Sequence, residues 1–72
     1  MAAELRWDDA EDLGLALADA HPEQNPLEVR FTDLHKMVSA LPIFVDDPQQ
    51  STEGKLESIQ MAWYEEWQDR HK

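Results

Sequence analysis

The chain has 72 residues and no cysteine. No disulfide can staple it, and thiolate zinc sites, iron–sulphur clusters held by its own thiolates and cysteine nucleophiles are all excluded. A small unstapled domain fits a reducing cytosol better than a secreted setting. Glycine is scarce: Gly14 and Gly54 are the only two, so neither a P-loop nor a GxGxxG turn can be built. Apolar runs last only a few residues, against about 20 for a helix that spans a membrane. The opening stretch MAAELRWDDAEDLG holds one arginine followed by acids, unlike the basic region and apolar run of a signal peptide. A soluble, cytoplasmic protein is expected. Positive charge is also scarce, with six Lys and Arg against sixteen Asp and Glu, a net charge of −10. That much negative charge on a small body repels phosphate, so nucleic acids and anionic membranes are disfavoured partners. Basic protein surfaces and cations fit instead.

What is present argues for folding. Hydrophobic residues make up 42% of the chain, three of them Trp, and they are spaced periodically, which separates the sequence from acidic disordered segments. The length allows one domain, residues 1–72, with a small core and marginal stability.

Three helices are expected. The first begins near Asp8, where Asp8 and Glu11 have capping-box spacing and Asp9, Glu11 and Asp12 crowd the first turn. Ala10, Leu13, Leu17 and Ala20 form its apolar stripe, and His21-Pro22 ends it. HPEQNPLEVR reads as a loop, with Val29 and Phe31 adding an extended stretch. The second helix starts at Thr32 as N-cap, points Leu34, Val38 and Leu41 inward with Met37 beside them, and stops at Pro42. PIFVDDPQQ is a loop pinned by Ile43, Phe44 and Val45, with a turn at Pro48. Ser51 or Thr52 caps the third helix, whose buried face is Leu56, Ile59, Trp63 and Trp67. Arg70, His71 and Lys72 close it, where positive charge suits the helix dipole. The fold class is mainly α, a compact three-helix domain.

Little of the usual site chemistry fits. An EF-hand counted from Asp46 puts Pro48 at the third position and Ser51 at the sixth, so it fails, and no HExxH occurs. A carboxylate-pair hydrolase needs a cleft that raises one acid's pKa, and a domain this small has little room for one. Clustered surface carboxylates can hold hard cations loosely; ferrous or ferric iron, calcium and manganese all suit them. On a helical wheel Asp8, Asp12 and Asp19 fall within about 40° of each other, opposite the apolar stripe, and Leu15 projects from the same side. This is either a solvated face with one stray leucine, or a docking face on which acids steer a basic partner and Leu15 supplies apolar contact.

Two longer patterns resemble a known family. VRFTDLH, residues 29–35, is followed by Leu41, Phe44, Asp46, Asp47, Pro48, Ser51, Glu53, Leu56, Glu57, Ile59, Gln60 and Trp63 at fixed spacing. Upstream, Trp7, Asp9, Gly14 and the DAHP of Asp19 to Pro22 also agree. Together they resemble the IscX family, small acidic proteins of bacterial iron–sulphur cluster assembly, over roughly residues 5 to 66. The resemblance implies a modified winged-helix fold and a non-enzymatic partner of the cysteine desulfurase IscS. It implies a docking surface that overlaps that of bacterial frataxin, weak iron binding by surface carboxylates, and a role as iron adaptor or iron-sensitive regulator. An acidic interaction module without a physiological metal is the competing expectation. This chain departs from the pattern at Thr52, where the family usually has Asn, at Gly54, and in its basic ending WQDRHK.

The expected partner-binding residues are Asp8, Asp9, Glu11, Asp12, Leu15 and Asp19. The expected metal-contacting residues are Asp9, Glu11, Asp12, Asp19, Asp33, His35, Asp46 and Asp47. Asp33 and His35 differ by about 200° on a helix, so a chelate shared between them is not expected. For His35 three roles are open: capping backbone groups, packing on Trp63, or ligation.

Overall fold

The computed structural model describes residues 4–71. Its elements are α1 (Ala10–Ala20), α2 (Phe31–Ser39) and α3 (Glu53–Arg70), with short 3-10 turns at Pro26–Glu28 and Pro48–Gln50. Both turns follow one local rule. A proline takes the first helical position, where its missing N–H costs nothing. The Asx residue before it accepts a backbone N–H two residues on: Asn25 from Leu27 at 3.0 Å, Asp47 from Gln49 at 2.9 Å.

The core is shared by all three helices: Leu13, Leu17 and Ala18 of α1, Leu34 and Val38 of α2, and Leu56, Ile59 and Trp63 of α3. Leu5, Trp7 and Leu41 complete it from the connecting segments. The α1 stripe differs from expectation, since Gly14 and Ala18 are buried while Ala20 is exposed. Gly14 explains the shift. A Cβ there would lie 2.7 Å from the Trp63 backbone nitrogen and 2.9 Å from Ala62, so α1 rests directly on the α3 backbone. The two helices run in the same direction, because Asp8, before α1, pairs with Lys55 near the start of α3, and Asp19 pairs with Arg70 at its end.

Helix starts differ from the expected ones. The N-cap of α1 is Asp9, not Asp8, and its side chain makes no capping bond. Asp9 accepts instead from the Arg6 backbone N–H at 2.9 Å, closing the preceding turn. The N-cap of α2 is Arg30 in extended geometry, so Phe31 already belongs to the helix and Thr32 sits exposed in its first turn. Thr32 is therefore not a cap, and the extended stretch comprises Val29 and Arg30 rather than reaching Phe31. Thr52 caps α3 as expected, accepting from Lys55 N–H at 3.2 Å. The expected α3 face holds for Leu56, Ile59 and Trp63, with Trp67 half-buried.

Among the described residues no strand forms. The β content is one parallel bridge between Leu5 and Phe44. It ties the N-terminal segment to the loop after α2, with Leu5 N–H donating to Ile43 O at 2.8 Å and Val45 N–H to Leu5 O at 2.9 Å. On the other side, Gln60 of α3 donates to the Pro26 carbonyl at 2.9 Å and fixes the loop between α1 and α2.

Candidate functional site

Trp7 organises one end of the molecule and decides the role of two sequence-predicted acids. Its side chain is 1% exposed. The backbone N–H donates to Asp46 Oδ2 at 3.1 Å and the indole N–H to the Asp47 carbonyl at 2.7 Å. Phe44 packs edge-on at 4.7 Å and the His35 ring stacks at 5.5 Å. His35 Nε2 donates to the Pro48 carbonyl at 2.6 Å. The histidine thus packs on Trp7, not on Trp63, and clips α2 to the loop before α3. Asp46 and Asp47 are committed to backbone donors, Asp46 Oδ1 also accepting from Asp47 N–H at 2.8 Å.

Those bonds carry a pH dependence. The Trp7 and Asp47 N–H groups, helped by the charges of Arg6 and Lys55 and opposed by partial burial, hold the Asp46 carboxyl below its ordinary range. A folded-state pKa below the unfolded one means that ionised Asp46 contributes stability that is full above about pH 4 and is lost as pH falls through the folded value. Replacing Asp46 with Asn is expected to lower stability at pH 7, and the gap to the wild type should narrow below about pH 4. Urea unfolding at both pH values reads this directly.

The other acids gather along α1 and α3. Glu11, Leu15 and Asp19 form one row spaced four residues apart on α1, and Ala62, Glu66 and Arg70 form the facing row on α3. Between them lies an open groove of about 200 Å³ lined by Glu11, Leu15, Ala62, Glu65, Glu66 and Asp69. A second depression, at the start of α1, is lined by Asp8, Asp9, Ala10, Glu11 and Asp12. Leu15 is 43% exposed at the groove. Glu11, Asp12 and Glu65 are exposed and form no ion pair among the described residues, whereas Asp8 pairs with Lys55 at 3.3 Å and Asp19 with Arg70 at 2.8 Å.

The structure therefore divides the predicted set. Glu11, Asp12 and Leu15 stand open to a partner. Asp8 lies in the turn before α1, so the helical wheel does not place it with Asp12 and Asp19. Asp9 closes that turn, and Asp19 is engaged by Arg70. Asp33 is exposed on α2, away from the groove lining. Glu65, Glu66 and Asp69 are the residues that sequence reasoning missed. Glu65 and Asp69 lie one turn apart and Glu66 follows Ala62 by four, a spacing any solvated helix face can show, so no local signal singles them out.

Among the described residues no three His, Asp or Glu side chains are grouped closely enough to hold a metal ion. These carboxylates do not form a cage. A cation here would rest on one or two of them, with water completing its shell.

The model of the iron–sulphur cluster assembly family matches residues 5–68. A curated protein of Pseudomonas aeruginosa, itself uncharacterised, is 47% identical over 62 residues, covering 86% of this chain and 94% of that protein. The chain belongs to the IscX family. The match takes in the Trp7 hub and nearly all of the groove. Asp69, Arg70 and His71 lie beyond the part of the chain that the IscX family model covers. Arg70 itself is held in its charged form by the hydrogen bond to Asp19, against partial burial, with the charges of Asp19 and Glu66 adding to the effect.

Proposed function

We propose that this IscX-family chain is a non-enzymatic adaptor or regulator of iron–sulphur cluster assembly. It docks on a cytoplasmic cysteine desulfurase of the IscS type through the acidic groove between α1 and α3. The observation that carries the reading is the groove itself: Glu11, Glu65, Glu66 and Asp69 surround the exposed Leu15. Acids around an apolar contact suit a basic partner surface, with charge speeding encounter and the leucine slowing dissociation. In this reading the docking surface overlaps that of bacterial frataxin, and the two proteins compete. Iron is a weakly held ligand, resting on Glu11, Asp12 or their neighbours and on water, and no chemical step runs through it.

Biolayer interferometry against the chain's own desulfurase tests the docking. Binding should weaken steeply as salt rises, because solvent-exposed charges are screened within about 10 Å at 0.1 M. Replacing Glu11 and Asp12 together by Lys should weaken it by more than about tenfold, and Asp33→Lys, away from the groove, by less than about twofold. Equal losses for both would contradict the placement.

A second reading is an acidic interaction module without a physiological metal. What supports it is the exposed Leu15 beside Glu11 and Glu65, which suits a basic protein surface with or without a metal. Amide broadening by ferrous iron at Glu11 and Asp12 that survives moderate salt and is not copied by calcium would exclude this second reading.

A further inference from the structure

Arg70 lies outside the stretch matched by the family model, yet it reaches back across the fold. Its Nη2 donates to Asp19 Oδ1 at 2.8 Å, and its Nε lies 3.5 Å from Glu66 Oε1. Asp19 ends the α1 row, and Glu66 lines the groove. A guanidinium bridging carboxylates from two helices makes the same contact that an arginine of a docking protein would make there.

The contact is fixed in place. The residue after Arg70, His71, meets the Pro22 carbonyl through Nε2 at 2.9 Å, and its ring lies 4.7 Å from that of Trp67. The end of α3 is thereby held against the loop that follows α1, which keeps Arg70 beside Asp19.

We propose that Arg70 is a built-in competitor for the acidic groove. It covers Asp19 and Glu66 where the two facing rows end and confines a basic partner to the end that holds Glu11, Asp12, Leu15 and Glu65. The inference rests on the docking reading above and adds its regulation. The side chains of Arg70 and Asp19 are 36% and 71% exposed, so solvent reaches the pair and a partner can displace it. An exposed pair of this kind shifts an equilibrium by about two- to fivefold.

The test uses two probes, a hexa-arginine peptide and the cysteine desulfurase, against the full chain at low salt. Arg70→Gln removes the competitor. Arg30→Gln removes the same charge at the start of α2, where its side chain forms no ion pair among the described residues, and so corrects for net charge. Arg70→Gln should bind the peptide about two- to fivefold more tightly than Arg30→Gln does. Peptide-induced shifts in carboxyl-detected NMR should then spread to Asp19 and Glu66, which the wild type leaves unmoved. Asp19→Asn should change affinity little in the wild type and remove most of the gain in the Arg70→Gln background. Equal affinities for the two arginine variants, or no peptide binding to Arg70→Gln, would overturn the proposal. If the peptide shows the gain while the desulfurase binds no variant, the competitor stands and the desulfurase reading falls.

Discussion

Replacing Trp7 with alanine is expected to cost about 3–5 kcal/mol, the range for a fully buried aromatic side chain. A domain of 72 residues has roughly 4–11 kcal/mol to lose, so the variant should sit near the edge of folding at 37 °C. The size of the effect follows from what Trp7 joins. Its ring fills the space between Phe44 and His35, and its indole N–H satisfies the Asp47 carbonyl. Without the ring, the segment from Leu5 to Asp8 loses its largest buried side chain and keeps the Leu5–Phe44 bridge with its flanking bonds, the backbone N–H of residue 7 to Asp46, and the Asp8–Lys55 pair. Trp7→Phe separates packing from polarity. It retains an aromatic body but leaves the Asp47 carbonyl without the indole donor, for a smaller loss of about 1–2 kcal/mol. Chemical denaturation of the two variants checks the order, and equal losses would show that the hydrogen bond, not the ring, does the anchoring.

The second large effect is expected at Gly14. In an exposed helix Gly→Ala gains about 1 kcal/mol from propensity. Here the added methyl would stand within 3.0 Å of backbone atoms of Ala62 and Trp63, which cannot turn aside as a flexible side chain would. Helix α1 must lift from α3, and overpacking of that kind costs about 1–3 kcal/mol. Taking the upper end, since rigid backbone is what it meets, the net loss is about 2 kcal/mol, and the melting temperature should fall by roughly 8–16 °C. The sign decides the matter. A thermal melt in which Gly14→Ala is more stable than the wild type would mean that the two helices do not approach this closely. The same close approach sets the width of the groove between the Glu11–Leu15–Asp19 and Ala62–Glu66–Arg70 rows.

Legibility in the sequence followed the range of the interactions. The helices and most of their buried residues could be read, because Leu13 and Leu17, Leu34 and Val38, or Leu56, Ile59 and Trp63 announce themselves by spacing within one element. The starts of α1 and α2 lie a residue or two from where the sequence put them, while Thr52 caps α3 as expected. Asp9 gives its side chain to the turn before α1, and Arg30 caps α2 through its backbone alone, with no side-chain signature. Trp7 stands alone in its segment, and its burial depends on residues about forty positions later, so no local period could place it. The same distance explains Asp46 and Asp47. As an Asp pair before Pro they suggested a turn or a ligand site, and only the fold shows them receiving Trp7. For the candidate site, the α1 half was legible as an acidic face with Leu15. The α3 half was not, since Glu65, Glu66 and Asp69 matter only once α1 lies alongside them. The basic ending was legible as a departure from the family pattern. Its contact with Asp19, 51 positions away, was not.

The acidic groove between α1 and α3 is the proposed meeting point of this IscX-family chain and its desulfurase. Amide NMR mapping on the labelled chain, with unlabelled desulfurase added in steps, tests it most directly. Early loss of signal is expected at Glu11, Asp12, Leu15, Ala62 and Glu65, with α2 from Thr32 to Lys36 retained. A footprint centred on α2, or no footprint at low salt, would contradict it.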